Sequence, residues 1–263
     1  MKIIFSNINY KNNNLEQYLE SAALSNYYAQ KHGFETIFFG DRISLRIYRK
    51  IQYNHFRYID QNEIESFPKS LWNIGKLIVM SKMTEPFIHM DFDVFLKTGF
   101  DIKKLNHDII CLHDEMFVNF NRLQEIFENK KPIEVGDSKI ISYNCGIVGG
   151  NDHNSLKESV NMVLNYIRNN YEFIDKISNN TYYSKRYPTI FFPQVLIEQI
   201  WLFQILKNYF KKNISVVIPT QIHWPNVENA LRQNKVIHLM REKNNIWYKK
   251  YISDVITNLN IKY

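Results

Sequence analysis

The sequence predicts an α/β fold built on a mostly parallel sheet covered on both faces by helices. Two observations lead there. Short apolar runs of strand length alternate with longer stretches whose apolar residues recur at helical spacing. The runs are near-continuously apolar rather than alternating, as suits strands buried on both faces. At 263 residues with 45% apolar content, the chain has the material for one domain of generous size, and 1–263 is read as a single unit without internal repeat or linker.

In chain order, residues 2–8 read as a first strand and 15–30 as a helix, with Leu15, Leu19, Ala22, Ala23 and Tyr27 on one face. Gly33 stops that helix, and 35–39 forms a second strand closed by Gly40 and Asp41. Residues 42–60 are aromatic and basic and favour no one element. The spacing predicts a helix over 70–83 with Leu71, Ile74, Leu77 and Ile78 inward. Pro86 opens a strand over 87–96, and 108–112 is another short apolar run. Residues 140–150 read as a strand breaking into a glycine-rich turn. Residues 155–171 make an amphipathic helix through Leu156, Val160, Val163, Leu164 and Ile167. Pro193 starts a helix over 193–206. Strands over 214–218 and 235–240 and a helix over 246–259 complete the chain. Segments 45–67 and 181–192 read as mobile or substrate-facing loops, and the aromatics of 48–58 and 182–192 as walls of an acceptor groove.

Composition bounds the setting. Cys111 and Cys145 cannot form a stapled framework and read as free thiols of a reducing compartment. The first residues turn polar by Ser6, too early for a secretory leader, and no eighteen-residue apolar run exists. A cytoplasmic protein is the expectation. The formal charge of +7, from 33 Lys and Arg against 26 Asp and Glu, favours anionic partners. The basic residues are scattered rather than striped, so nucleic acid is not expected as a partner.

The chemistry concentrates at Asp91-Phe92-Asp93, set within the apolar run 87–96. Ionised carboxylates do not belong inside a buried strand without a partner. The strand is therefore expected to end there, with both carboxylates turned to one hard cation and its phosphate ligand. His238 is an isolated imidazole in the apolar run 236–240, either a hydrogen-bonded core residue or a metal ligand, and neutral imidazole beside carboxylates suits manganese. Asn144-Cys145-Gly146, followed by Gly149-Gly150, offers an amide to hydroxyl groups and lets backbone approach a ligand closely. Glu198-Gln199 interrupts an apolar helix, and Lys76 sits on the helix before the aspartates.

This order of first strand, Asp-x-Asp strand end, Asn-Cys-Gly and late-strand histidine resembles the GT-A fold of nucleotide-sugar glycosyltransferases. The pattern is similar to bacterial polysaccharide glycosyltransferases, with a weaker likeness to the glycogenin and lipopolysaccharide-galactosyltransferase group. The resemblance implies a Rossmann-like mixed sheet, a divalent ion (Mn2+ or Mg2+), a UDP-linked donor and a glycan or lipid-linked acceptor. It implies Asp93 as a direct metal ligand, Asp91 as a ligand of metal, ribose or both, and His238 as the third ligand. It implies donor contacts from Ser6, Asn7, Asp41, Lys76, Asn144, Gly146 and a late basic residue, Lys243 or Arg241. Glu198 and Gln199 fall near the reacting face of the sugar, with Asp114-Glu115 as a rival base and His223 as a rival ligand. The glycine and proline that accompany the histidine and the final tryptophan in the glycogenin group are missing around His238 and Trp247.

Two other readings stay open. A non-catalytic nucleotide-sugar binder would share the fold. A haloacid-dehalogenase-like phosphatase also carries Asp-x-Asp after an apolar strand, but near its first strand, whereas two strand–helix units precede Asp91 in this chain. Tyr248-Lys249-Lys250-Tyr251 on the final helix reads as a point of peripheral contact with the inner face of a membrane.

Overall fold

The structure is a computed structural model that describes residues 1–8, 18–71, 73–119, 139–179, 196–218, 235–238 and 246–263; the side chains of 115–119, 139, 140, 196 and 247 are not among those described. Seven strands form one sheet in the order β3-β2-β1-β4-β7-β6-β8. They are β1 (Lys2–Asn7), β2 (Glu35–Gly40), β3 (His55–Tyr58), β4 (Phe87–Met90), β6 (Ile109–Asn119), β7 (Lys139–Gly150) and β8 (Ile214–Val216). Only β7 runs against its neighbours, wedged between β4 and β6, while the other pairings are parallel. A ribbon of β5 (Val94–Leu96) and β9 (Val236–His238) stands beside this sheet. This is the mixed, mostly parallel, helix-flanked sheet that the sequence predicts.

Alternation along the strands separates the two cores. Ile4, Ile37, Phe87, Ile109 and Val148 join the helices α4 (Ile74–Lys82), α5 (His153–Asn169) and α7 (residues 196–209) on one face. Ile3, Phe5, Phe38, Ile88, Ile110 and Ile147 face α1 (Leu19–Lys31) and α2 (Arg42–Tyr48) on the other. α1 is buried on nearly all sides, because α8 (Ile246–Asn258) packs Tyr248, Ile252 and Ile256 against Leu24 and Tyr28. Gly33, at φ +82, ends α1 in the left-handed region. α3 (Gln61–Glu65) and α6 (Tyr171–Ser178) are short surface helices. No helix among the described residues is long and apolar enough to cross a membrane.

Three expectations change. The segment 45–67 is not a loop: it supplies the end of α2, the edge strand β3 and α3. Tyr48 and Tyr53 are core residues rather than groove walls, stacked in an aromatic cluster with Phe5, Phe38, Phe56 and Phe92. The predicted turn at 144–150 is instead the second half of β7, which continues to Gly150. Its glycines are there for space: a Cβ on Gly149 would come within 2.2 Å of the Phe87 carbonyl oxygen across the β4 pairing. The segment 181–192 lies outside the described residues, as do His223, Arg241 and Lys243.

Candidate metal and donor site

The parallel strands β1, β2 and β4 end on the same edge of the sheet, with Asn7 paired to Gly40 and Ile4 to His89. Ligands of open α/β sheets bind beyond such carboxyl ends. β4 stops at Met90, and Asp91-Phe92-Asp93 makes a turn closed by Val94 N–H donating to the Asp91 carbonyl at 3.2 Å. The aspartates thus converge through a turn and not through strand alternation. Phe92 fixes that turn from below, its ring stacked on Tyr48 with centroids 5.0 Å apart.

Immediately after the turn, β5 pairs with β9 in antiparallel register, Val94 opposite His238. That pairing brings residue 238 back to residue 93. His238 Nε2 lies 3.5 Å from Asp93 Oδ1, and ligand atoms of Asp91, Asp93 and His238 all fall within 4.8 Å of one another. His238 Nδ1 is buried without a hydrogen-bond partner. Two carboxylates and an imidazole with an uncommitted nitrogen are a donor set suited to manganese or magnesium with further ligands from a diphosphate.

Gly146 links both arms of this cluster. Its carbonyl accepts the Asp91 N–H at 2.9 Å, and its own N–H donates to Asn144 Oδ1 at 2.9 Å. A Cβ at this position would sit 3.0 Å from His238 Cε1 and 3.0 Å from Leu112 Cδ2. The glycine leaves room for the imidazole.

Behind the aspartates, Lys76 is buried between two carboxylates. Its Nζ lies 2.7 Å from Asp91 Oδ1 and 2.6 Å from Glu198 Oε1, and donates to the Cys145 carbonyl at 2.9 Å. Burial by itself would lower the Lys76 pKa, but Asp91 and Glu198 outweigh it and hold the ammonium above its usual range. Glu198, 3% exposed, also accepts from Asn73 Nδ2 at 2.9 Å through its other oxygen. Burial, together with Asp93 and Glu198, pushes the Asp91 carboxyl upward against the pull of Lys76. His89, buried in β4, sits 2.8 Å from Ser6 Oγ through Nε2 and 3.8 Å from Asp91 Oδ1 through Nδ1. Burial, then Lys76, keeps its pKa well below the usual value, so the ring is neutral.

The structure therefore joins Ser6, Lys76, Asp91, Asp93, Asn144, Gly146, Glu198 and His238 into one network. Asp41 and Asn7 form a separate pair around Ser44: Asp41 Oδ1 caps α2 by accepting Ser44 N–H at 2.7 Å, and Asn7 Oδ1 accepts Ser44 Oγ at 3.4 Å. Gln199 is half-buried and accepts Ser142 Oγ at 3.3 Å. Sequence reasoning missed His89, Asn73 and Phe92. A histidine inside the apolar stretch 87–90 was the available signal for the first; the other two carried none beyond their neighbours.

Residues 10–263 match a family described as "Family of unknown function (DUF6734)", and the chain belongs to it. No curated protein is detectably similar in sequence. A crystal structure of the galactosyltransferase LgtC in complex with donor and acceptor sugar analogues is 13% identical, with a TM-score of 0.40, covering 66% of this chain and 70% of that one. An active-site mutant of LgtC is 15% identical, with a TM-score of 0.39 and the same coverage.

Proposed function

We propose that this member of the DUF6734 family is a metal-dependent glycosyltransferase that moves a sugar from a nucleotide-sugar donor, UDP-linked in the reading favoured here, to a glycan or lipid-linked acceptor. The observation that carries the reading is the meeting of Asp91, Asp93 and His238 within 4.8 Å at the edge of the sheet where parallel strands end. In this reading the three residues hold Mn2+ or Mg2+. The bound ion would supply positive charge to a departing nucleoside diphosphate.

The chain's own residues then have distinct tasks. Lys76 holds Asp91 from behind and keeps one carboxylate oxygen fixed, leaving the other for the ion. Asn144 orients Gly146, and Gly146 spaces the imidazole from β7. Ser6 and Asn7, at the end of β1, and Asp41, at the end of β2, are assigned to the nucleoside, and Lys243 to the diphosphate. Glu198 has both oxygens engaged, which supports a fixed charge behind the sugar rather than a free proton acceptor. Gln199, one residue on and partly exposed, is assigned to the reacting face.

The engagement of both Glu198 oxygens also favours a second reading, a non-catalytic nucleotide-sugar binder of the same fold. A thermal-shift screen of UDP-, GDP-, CMP- and dTDP-sugars with and without manganese tests the binding step common to both readings. A rise in melting temperature that needs sugar nucleotide and ion together is expected; no such rise with any nucleotide refutes both readings. Donor turnover in the same mixtures then separates enzyme from binder.

A further inference from the structure

The sequence assigned membrane contact to the final helix, and the structure packs the apolar face of that helix into the core. Tyr248, Ile252 and Ile256 are packed against Leu24, Tyr28, Phe95 and Ile237, and Tyr251 is partly buried beside them. Lys250 is held by Asp254 one turn on, at 3.0 Å. Ile246, Lys249 and Lys250 stay exposed on its first turns and Leu259 just past its end.

α2 carries a longer row of exposed cations. Asp41, Ser44 and Tyr48 are buried on its inner side. At 3.6 residues per turn, Arg42, Arg46 and Ile43 fall in that order along an outer arc of about 100°; Arg49 caps the helix and Lys50 follows in the next turn, and all five are exposed. None of the four cations has an ion pair among the described residues. The acids of neighbouring elements are committed elsewhere: Glu35 to Lys2 and His55, Glu63 to Lys82, Glu65 to Gln61, and Asp60 to the cap of α3. Ile43, at one edge of this arc, is 42% exposed, and Tyr58, on the same side of β3 as Phe56, is 47% exposed. Four cations without an ion pair among the described residues, with an exposed apolar side chain at the edge of their row, match the chemistry of a headgroup layer: anionic phosphate above, acyl chain below. A nucleic-acid groove would need no exposed isoleucine beside its cations.

We propose that the outer face of α2 docks on an anionic lipid bilayer. The inner side of the same helix stacks Tyr48 on Phe92, between the two aspartates. The bilayer surface would therefore lie one helix diameter, about 10 Å, from the turn that carries the candidate ion ligands. The inference stands apart from the transferase reading, since it needs neither ion nor donor.

The test is vesicle flotation of the full chain, without donor or metal, on phosphatidylcholine vesicles with and without phosphatidylglycerol. Wild type is expected to float only with the anionic vesicles and to be released by salt. The triple variant Arg42→Gln, Arg46→Gln, Arg49→Gln should partition about a hundred-fold less, from about five-fold per charge. Ile43→Ser should weaken flotation without changing its salt dependence. Lys249→Gln should float as wild type. All five positions are exposed, and an unchanged melting temperature verifies each fold. Equal flotation of the triple variant, or equal flotation on neutral vesicles, overturns the proposal. So does binding of a single-stranded oligonucleotide that the triple variant loses while wild type ignores anionic vesicles.

Discussion

Replacing Lys76 by Met offers the sharpest measure of how the candidate site is held. The ammonium faces Asp91 at 2.7 Å and Glu198 at 2.6 Å. The two carboxylates would respond differently to its loss. Asp91 has a side chain 30% exposed, so water can take over much of the lysine's part. Glu198 is 4% exposed at its side chain and would keep only the Asn73 amide. Removing one partner of a buried ion pair costs about 3–5 kcal/mol, and the Glu198 half of the pairing carries that expectation. For a chain of this size each kcal/mol moves the melting temperature by about 2–4 °C, so Lys76→Met should melt roughly 10 °C lower. Urea unfolding followed by fluorescence gives the free energy directly. The double variant Lys76→Met, Glu198→Gln should recover most of the loss, because the amide is neutral and can still accept from Asn73. Lys76→Met, Asp91→Asn should recover little. A single variant within about 1 kcal/mol of wild type, or equal rescue by both second changes, refutes the account of Lys76 as the partner of a desolvated carboxylate.

Asp93→Asn should leave melting unchanged without ions and remove any stabilisation by manganese plus nucleoside diphosphate; retained stabilisation would transfer the ligand role elsewhere. Gly146→Ala should weaken manganese binding about ten-fold or more by displacing the His238 ring, and the same change made in a His238→Ala background should have little further effect. Additive losses in titration calorimetry would show that the methyl group acts through something other than the imidazole. Asp152 caps α5 through Ser155 and pairs with Lys212 at 2.5 Å. Burial opposes its ionisation, but the Lys212 and Ser155 hydrogen bonds prevail and lower its pKa below 3.8. Its contribution is therefore present above that pH and is lost as pH falls through the lowered value. Asp152→Asn should be less stable at neutral pH and lose stability less steeply in acid, and parallel acid-unfolding curves would contradict this.

The strands and helices with strong apolar periodicity were legible: β1, β2, α4 and α5 lie within a few residues of their expected bounds, the expected strand 87–96 splits at the aspartates into β4 and β5, and the inward residues of α4 and α5 are buried. The segment 45–67 was not, because β3 is an edge strand whose residues are mostly exposed, and exposure erases the pattern that announces a strand. The residues 144–150 misled because Asn and Gly usually mark turns, whereas Gly146 and Gly149 serve close packing against His238 and β4. Asp91 and Asp93 announced themselves by being charged inside an apolar run. Lys76, Asn73 and Glu198 meet only through the packing of α4 on α7, a contact 125 residues apart between Asn73 and Glu198 that no local pattern reveals.

The ribbon of β5 and β9 has a bearing on how the molecule comes into being. It seats His238 beside Asp93, 145 residues earlier in the chain, and α8 then clamps the ribbon through Phe95 and Ile237. On the proposed metal reading, a chain without the 236–238 strand would own the aspartates but lack the imidazole, so divalent-cation affinity would report that the ribbon has closed.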